Sequence, residues 1–465
     1  MNSTMLEIYH SLPSGLRSFP ASARGYYLRS WRYGKESPRL VDEALERDRW
    51  SQDQWDRYRE DQLERLLSRA AARVPFYRDH WSARRQAGDR SSASYLENWP
   101  IVSKEMVRAS PAAFLADDCD PRKMFLERTS GTSGKSTTLW WSRSLVRQWY
   151  ALMEARVRRW NGVSKDDRWG IIGGQLVTPA AQTKPPFWVW NVALKQLYLS
   201  AWHMSAANMP FYLEAIRRYK LRYLFGYTSA LTTLAEAAAA TDTSLDLTVV
   251  ISNAEPVFSH QRALIERAFK CPFRETYGMS EIVATASECE RGTLHLWHDV
   301  GFVEQDASSE SDGSANLICT GLLNRDMPLI RYKVGDRGRV SPALSTCACG
   351  RTHPVLQQIE GRTDDVLYTQ DGRQIGQLQS VFQTVEHIRE AQLVQETLTR
   401  VRIRVVPAPG YSQSDRDLIL QRFTSRVSGI SPVLEEVTDI PRTANGKLQY
   451  VICQIPAAEL ASIRI

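Results

Sequence analysis

The sequence predicts an α/β protein: a large N-terminal domain whose sheets are covered by helices, followed by a small α+β C-terminal domain. The chain has 465 residues, which is too long for one ordinary hydrophobic core. Helical patterns at 144–160, 206–219 and 228–240 alternate with β-like runs such as WGIIGG, LRYLFGY and LTVVISN. Such alternation is typical of sheets that are covered by helices.

The two ends of the chain differ in pattern. Residues 41–73 carry apolar side chains at helical spacing among charged ones, which predicts an amphipathic helix. Residues 400–406, RVRIRVV, alternate basic and apolar side chains, as a half-exposed strand does. The segment SQSDRDLILQRFTSRVS then predicts a helix with Ser414 as its N-cap. We therefore predict domains at 1–363 and 364–465.

The composition is that of a globular protein, with 43% hydrophobic and 24% charged residues and a net charge of +7. The charges are dispersed, so they favour binding of anionic small molecules over nucleic acid. Seven cysteines in a chain of this length do not form a disulfide framework. The first residues lack the apolar core of a signal peptide, and no apolar run is long enough for a membrane span. We expect a cytoplasmic protein.

Residues 17–34, RSFPASARGYYLRSWRYG, interleave arginine with tyrosine and tryptophan. This interleaving occurs in proteins that bind nucleic acid, where rings stack on bases. It also occurs where arginine stems cover apolar surface. We favour packing against the main domain, because no nucleic-acid-binding motif accompanies the segment.

A loop rich in glycine and hydroxyl groups, TSGTSGKS, begins at Thr129. It is not a Walker A loop, because that motif needs glycine where Thr129 stands. Glycines let a backbone approach a phosphate, hydroxyls donate hydrogen bonds and lysine adds positive charge. Alone, these residues would equally suit a structural turn. The candidate phosphate ligands are Ser130, Gly131, Thr132, Ser133, Gly134 and Lys135.

Four further motifs follow this loop in order. RETYGMSEIVA combines an aromatic ring, a turn and a carboxylate, which suit a nucleotide and its Mg²⁺, although a buried tyrosine before a helix would show the same letters. RYKVGDRG, EGRTDDVL and PRTANGKL come next, and the last alone would indicate only a solvated lysine in an Asn-Gly turn. Their candidate residues are Tyr277, Gly278, Ser280, Glu281, Asp336, Arg362, Asp364, Asp365 and Lys447.

The ordered series resembles the motifs of the adenylate-forming superfamily of acid ligases. Within it, GKSTTLWWS, KPPFWVWN, LYLSAWHM, LFGYTSAL and CACGRTHPVLQQIEGRTDD resemble the phenylacetate–CoA ligase branch, particularly its CapK-like members. The resemblance covers nearly the whole chain, and an ordered set of motifs is far more specific than a single one. It implies that a carboxylate attacks the α-phosphate of ATP, giving acyl-AMP and pyrophosphate, and that an acceptor then displaces AMP.

The resemblance also implies roles for the nucleotide-binding residues. The loop at 130–135 corresponds to ligands of the β- and γ-phosphates, and Tyr277 with Gly278 and the SNAEP turn (Ala254, Glu255) to the adenine site. Ser280 corresponds to the residue at the α-phosphate, and Glu281 to the ligand of Mg²⁺.

The remaining motif residues are assigned in the same way. Asp336 matches an aspartate that accepts both ribose hydroxyl groups, and Arg362 is expected in the same region. Lys447 matches a mobile lysine that bridges carboxylate and α-phosphate in the first step. Asp364 or Asp365 corresponds to the hinge about which a small, mobile C-terminal domain swivels between the two steps.

A zinc site is a further candidate. Cys347 and Cys349 form a short pair, and Cys289 and His295 precede it. Thiolates with imidazole suit tetrahedral Zn²⁺, and the resemblance extends to members that carry such a set. Spacing alone leaves two alternatives open: the cysteines are reduced core residues, or His298 or His353 supplies the nitrogen.

An aromatic stretch between the phosphate loop and the adenine turn is the candidate acyl pocket, represented by Trp169, Trp188, His203 and Tyr227. It favours an aryl or other apolar acid, although core packing explains any single one of these residues. The implied acceptor is coenzyme A, with an amine as the alternative, which would give an amide. A non-catalytic nucleotide-binding protein of the same fold is the remaining alternative. The chain is expected to be a monomer or homodimer.

Overall fold

The computed structural model has the mixed α/β fold that the sequence predicts. It describes residues 3–129, 137–173, 175, 177–179, 181–205, 207–311, 313–341, 347–362, 367–370, 374–375, 378–382, 385, 387–427, 429–442, 448–456 and 459–460. Within these residues, no helix has both the length and the apolar character that crossing a membrane requires.

Helices dominate the first 110 residues. The predicted helix at 41–73 is in fact two helices, because Ser51 accepts a hydrogen bond from the backbone N–H of Gln54 and so begins a new helix. The helices are α1 (Ser3–Ser11), α2 (Ser18–Arg32), α3 (Ser37–Arg47), α4 (Gln52–Arg73), α5 (Pro75–Gln86) and α6 (Lys104–Ala109).

The arginine- and aromatic-rich segment at 17–34 is mostly helix α2. Its Gly25, Leu28 and Trp31 are buried, and Arg29 donates a hydrogen bond to the carbonyl of Ala193 over 3.0 Å. One face of the helix therefore packs on the domain, as the favoured interpretation requires.

A six-stranded sheet lies at the centre of the N-terminal region, in the order β4-β5-β3-β6-β7-β8. All neighbours are parallel except β4 and β5. Before it, β1 (Phe125–Arg128) and β2 (Thr138–Trp141) form an antiparallel pair. The six strands are β3 (Trp169–Gly173), β4 (Trp188–Asn191), β5 (Gln196–Ser200), β6 (Tyr223–Tyr227), β7 (Val249–Asn253) and β8 (Phe273–Arg274).

Helices cover both faces of this sheet. On one face, α8 (Met209–Arg218), α9 (Thr228–Ala240) and α10 (Ser259–Phe269) share a core with alternate strand residues such as Leu224 and Val250. On the other, α7 (Arg143–Leu152) and the π-helical turn Met153–Arg158 pack over Trp169, Tyr223 and Ile251. The helices predicted at 228–240 and 144–160 are confirmed, the second as α7, the π-helical turn and a 3₁₀ turn at Arg159–Asn161. The helix predicted at 206–219 is shorter than expected.

A seven-stranded antiparallel sheet follows, in the order β12-β13-β14-β15-β11-β10-β9. It carries most of the motif residues of the second half of the chain. Its strands are β9 (Thr276–Gly278), β10 (Thr285–Glu288), β11 (Leu294–Leu296), β12 (Gly301–Ser311), β13 (Ser314–Gly321), β14 (Tyr332–Ser341) and β15 (Val355–Arg362).

The C-terminal part is a four-stranded sheet, in the order β20-β19-β18-β21, with one long helix. The period-two strand is confirmed, since Val401, Ile403 and Val405 are fully buried. The cap of the helix is Ser412, two residues before the predicted Ser414. The elements are β16 (Leu367–Tyr368), β17 (Gln374–Ile375), β18 (Ile388–Thr397), β19 (Arg400–Pro407), α11 (Gln413–Arg426), β20 (Ser431–Glu436) and β21 (Val451–Cys453). The predicted boundary at 363/364 lies outside the described residues and stays a prediction.

Candidate functional site

The two ends of the predicted phosphate loop are joined by β1 and β2. The backbone N–H of Thr129 donates to the carbonyl of Thr137 over 3.0 Å, and the N–H of Thr137 donates to Oγ1 of Thr129 over 2.9 Å. Thr129 and Thr137, which flank the predicted loop, are therefore held next to each other. The loop residues 130–135 themselves lie outside the described residues.

The predicted adenine turn follows β7, at the carboxyl edge of the parallel sheet. Ala254 has φ of +61°, in the left-handed region that residues other than glycine avoid. The side chain of Glu255 holds this turn, because its Oε2 accepts from the N–H of Ser229 at the start of α9 over 2.9 Å. Ile282 (φ +51°) and Arg331 (φ +47°), beside other predicted site residues, share the same backbone conformation. Strain of this kind costs about 1–3 kcal/mol per residue and is concentrated at functional sites.

Tyr277 and Asp336 meet across the seven-stranded sheet. The hydroxyl of Tyr277 donates a hydrogen bond to Oδ2 of Asp336 over 2.8 Å. Burial and the neighbouring carboxylate raise the pKa of Tyr277 well above its usual range, so the phenol keeps its proton. Asp336 is paired in register with Arg362 of β15, whose backbone is thereby placed in the predicted region.

Strand β9 lies against the end of β7. The hydroxyl of Thr276 donates to the carbonyl of Ser252 over 2.6 Å, which brings Tyr277 next to the turn at Ala254 and Glu255. Gly278 ends β9 and pairs with Thr285. The residues predicted around adenine and ribose therefore lie together, where the edge strand β9 of the seven-stranded sheet meets the end of β7 in the six-stranded sheet.

Glu281 is a buried carboxylate in the connection between β9 and β10, directly after half-buried Ser280. Its Oε1 accepts from the hydroxyl of Tyr332 over 3.1 Å and lies 3.4 Å from Nζ of Lys104. Carboxylates are the ligands that Mg²⁺ prefers, so the chemistry of Glu281 fits its predicted role. Tyr332 precedes Asp336 by four residues on the same strand, β14. This strand therefore connects Glu281 and its partners to the Tyr277–Asp336 pair.

The four predicted acyl-pocket residues do not line one cavity. Trp169 is in register with Gln196 and Tyr223, whereas Trp188 is in register with Leu199, which points to the opposite face of the sheet. His203 is buried on the face of Trp188, where it stacks on Phe187 and its Nδ1 lies 2.8 Å from Oγ of Ser200. Tyr227 lies at the carboxyl edge and packs toward the same core. Two of the four, Trp188 and His203, therefore belong to a packed interior.

A cavity of about 180 Å³ lies on the face of Trp169. Aromatic and aliphatic side chains line it, but so do arginine, lysine and glutamine, which the prediction of an apolar pocket did not include. The charged and aromatic lining includes Arg29, Arg32, Tyr33, Tyr150, Arg158 and Lys165.

The four candidate zinc ligands are brought together. One ligand atom from each of Cys289, His295, Cys347 and Cys349 lies within 4.8 Å of all the others. The sulfurs of Cys289 and Cys347 are 3.8 Å apart, and Sγ of Cys349 is 3.3 Å from Nε2 of His295. Bonds of about 2.3 Å to sulfur and 2.0–2.1 Å to nitrogen around a tetrahedral ion require separations close to these. The donor set therefore fits Zn²⁺.

The pKa values of Cys347 and Cys349 are shifted in opposite directions. Burial opposes the charge of Cys347, but hydrogen bonds with Thr293 and the N–H of Cys349 outweigh it and lower its pKa to about 6. Burial raises the pKa of Cys349, and the neighbouring Cys347 and Cys289 raise it further.

A charged network supports the imidazole of the cluster. Nδ1 of His295 lies 3.3 Å from the carbonyl of His353, and Nε2 of His353 lies 3.1 Å from Oδ1 of Asp48. The fully buried Arg156 pairs with Asp48 over 2.8 Å and also with Asp299. Because His353 contacts Asp48, and His298 lies beside it, the nitrogen donor of the cluster is His295.

The C-terminal part of the chain reaches the predicted adenine turn. The N–H of Leu448 donates to Oε1 of Glu255 over 3.0 Å, and Arg442 donates to Oγ of Ser229 over 3.3 Å. Lys447, immediately before Leu448, lies outside the described residues, as do Asp364 and Asp365. The sequence analysis missed Lys104, Tyr332 and Ser229. Of these, only Tyr332 carried a signal, its place four residues before Asp336.

Comparisons with known proteins give the relatives of this chain. The family model of the CapK C-terminal domain matches residues 367–454. Protein CapK of Staphylococcus aureus is 24% identical over 459 residues, covering 96% of this chain and 99% of that protein. A phenylacetate-coenzyme A ligase of Escherichia coli (strain K12) is 26% identical over 323 residues, covering 66% and 70%. The structure of 2-hydroxyisobutyryl-CoA ligase in its postadenylation state superimposes with a TM-score of 0.66, at 19% identity and over 90% and 93% of the two chains.

Fold and relatives together define an AMP-forming acid ligase of the adenylate-forming superfamily. Within that superfamily, the chain is similar to CapK over nearly its whole length and to phenylacetate–CoA ligases over about two thirds of it. The resemblance and the fold class predicted from the sequence are confirmed.

Proposed function

We propose that the protein activates a small carboxylic acid with ATP and transfers the acyl group to coenzyme A. In the first step, a carboxylate oxygen attacks the α-phosphorus, the bond to the bridging oxygen breaks, and pyrophosphate leaves. In the second, the thiol sulfur attacks the acyl carbon, the bond to AMP breaks, and the thiol proton passes to solvent. The observation that carries the proposal is the Tyr277–Asp336 pair beside the Glu255-held turn.

This geometry suits a nucleoside. The two carboxylate oxygens of Asp336 can accept hydrogen bonds from two vicinal hydroxyl groups. Tyr277 orients this carboxylate by donating a hydrogen bond to it. The turn at Ala254 presents backbone groups at the end of a parallel strand, where ligands of α/β sheets bind. Ser280 is our candidate for the α-phosphate, and the loop at 130–135 for the β- and γ-phosphates.

The main physical obstacle is the meeting of two anions. Lys104 beside Glu281 and the predicted Lys447 supply positive charge, and preorganised charge of this kind stabilises the transition state. Mg²⁺, when bound, neutralises phosphate charge, and Glu281 is the residue that would hold it. We propose a purely structural role for Zn²⁺ at the four-ligand cluster, since four protein ligands leave no open position.

Mass spectrometry of the products tests the proposed transfer. The protein is supplied with ATP, Mg²⁺ and a panel of acids, together with coenzyme A or candidate amines. We expect an acyl thioester and AMP. An amide that forms with an amine while no thioester forms would instead establish an amide ligase.

Tyr277→Phe should raise the KM for ATP by roughly tenfold, because one hydrogen bond to a charged group is lost.

A further inference from the structure

The cavity on the face of Trp169 continues from the carboxyl edge where the acid must react. Phe225 and Ile251 line it, each two residues before the strand ends at Tyr227 and Asn253. Gln175, just beyond the end of β3, lines its upper part, and Trp169 its lower part. The strand rise of about 3.3 Å per residue puts the lower end roughly 13 Å from the edge.

The lining of this cavity is cationic. Arg29 and Arg32 come from α2, Arg158 from the π-helical turn, and Lys165 from the loop before β3. Lys165 is paired with Asp166, another lining residue, over 2.6 Å. Within the part of the chain that the structure describes, no carboxylate lies within ion-pair distance of Arg29 or Arg32. The cavity therefore has an excess of positive charge.

Arg158 is the most deeply placed of these cations. More than nine-tenths of the residue is buried, and its Nε donates to the hydroxyl of Tyr223 over 2.8 Å. Its Nη1 makes no hydrogen bond to any described residue, and Oε2 of Glu154 lies 3.7 Å away. Glu154 therefore forms an ion pair with Arg158, whereas Arg29 and Arg32 form none with any described carboxylate.

Gln196 adds a polar group of the opposite kind. It is buried in β5 and lines the cavity, and its Oε1 accepts no hydrogen bond from any described residue. The cavity wall is therefore polar at this position. A volume of about 180 Å³ corresponds to roughly six water molecules of liquid, which limits the ligand to a small group.

We propose that the acid substrate carries a second anionic group, which the cavity binds through Arg158 and Arg32 while the first carboxylate reacts at the edge. This inference rests on the proposed function, because it places the reacting carboxylate beside the nucleotide site. A small dicarboxylic acid is the substrate class with this chemistry. Tyr33 and Tyr150 add tyrosine side chains to the same wall.

Calorimetric titration of the full chain with pairs of matched acids tests the proposal without requiring turnover. The pairs are adipate with hexanoate and terephthalate with 4-methylbenzoate, each measured with and without a non-hydrolysable ATP analogue. In at least one pair, we expect the diacid to bind at least tenfold more tightly. Monoacids that bind as tightly as their diacids, or no binding by any of the four, would overturn the proposal.

Three variants make the test specific. Arg158→Met should weaken diacid binding at least tenfold and leave monoacid binding unchanged, and Arg32→Met should act in the same direction if Arg158→Met does not fold. Arg143→Met is the matched control, because Arg143 lies over the ring of Trp31 and does not line the cavity. Equal diacid binding by Arg32→Met and Arg143→Met would contradict the proposal.

Pyrophosphate release with the same acids separates this inference from the proposed function. Diacids that bind through Arg158 without forming acyl-AMP would contradict the proposed function alone. Monoacids that are adenylated in preference to diacids would contradict the inference alone.

Discussion

The backbone N–H of Leu448 donates a hydrogen bond to Oε1 of Glu255 over 3.0 Å. The other carboxylate oxygen of Glu255 accepts from Ser229, so one side chain joins the predicted adenine turn, helix α9 and the C-terminal region. Phe258, three residues further, packs in the C-terminal core and contacts Tyr450 edge to face. The residue after Lys447 is thus attached to the predicted nucleotide site.

Glu255→Ala should slow acyl-AMP formation roughly tenfold or more, because a hydrogen bond to a charged acceptor contributes about 1.5–3 kcal/mol. The measurement is pyrophosphate release at saturating ATP. Transfer from preformed acyl-AMP should change little. Glu214→Ala, an exposed substitution on α8, is the control, and an equal loss in both half-reactions would argue against the attachment.

Lys447→Ala should reduce acyl-AMP formation by about 100-fold, the effect expected from loss of electrostatic stabilisation. The same variant, given preformed acyl-AMP, should transfer the acyl group near the parental rate. Asp365→Pro should spare the first step more than the second, if it locks the predicted hinge in the adenylating orientation. An equal loss of rate in both steps for Lys447→Ala would contradict the hypothesis that the C-terminal domain adopts a different orientation in each step.

Glu390 makes the stability of the domain contact depend on pH. Burial raises its pKa to about 7, although Arg442, which pairs with it, opposes the shift, and Glu255 and Asp439 reinforce it. Between its ordinary value of 4.5 and about 7, the folded protein holds a proton that the unfolded chain has lost. The free energy of unfolding should therefore fall as the pH rises through this window.

Urea unfolding of the parent and of Glu390→Gln at pH 5 and pH 8 measures this effect. Relative to the variant, the parent should lose roughly 1–3 kcal/mol between the two pH values. A difference between parent and variant that stays constant with pH would show that Glu390 is ionised throughout.

Purified protein should contain about one zinc per chain, measured by plasma mass spectrometry. Cys289→Ser should abolish the metal and lower the thermal midpoint by roughly 5 °C or more, because two distant segments lose their link. Cys271→Ser is the control, since Cys271 is buried outside the cluster. Metal-free parent protein with an unchanged midpoint would rule out a structural zinc.

The sequence alone predicts the features that depend on local pattern. Periodicity is enough to predict the strand at 400–406 and the helix at 228–240. The order of the motifs is enough to single out Tyr277 and Asp336 as candidate site residues. The break between α3 and α4 was missed, because apolar residues recur at helical spacing on both sides of Ser51, the residue that caps α4.

Other features depend on contacts between distant residues. Arg32 and Arg158 reach one cavity only because α2 and the π-helical turn cover the same sheet face. Trp188 and His203 share the aromatic composition of a pocket, but strand register places Trp188 on the opposite face of the sheet, and His203 stacks on Phe187 of that core. No local pattern specifies such a register between separate segments.

The central claim is that the protein forms acyl-AMP, and acid-dependent exchange of labelled pyrophosphate into ATP tests it most directly. We predict exchange with at least one acid of a panel that includes both mono- and dicarboxylic acids. Asp336→Ala should lower that exchange by roughly 100-fold, because the double acceptor for the ribose is lost. ATP binding without exchange for any acid would contradict the account and indicate a nucleotide-binding protein that performs no ligation.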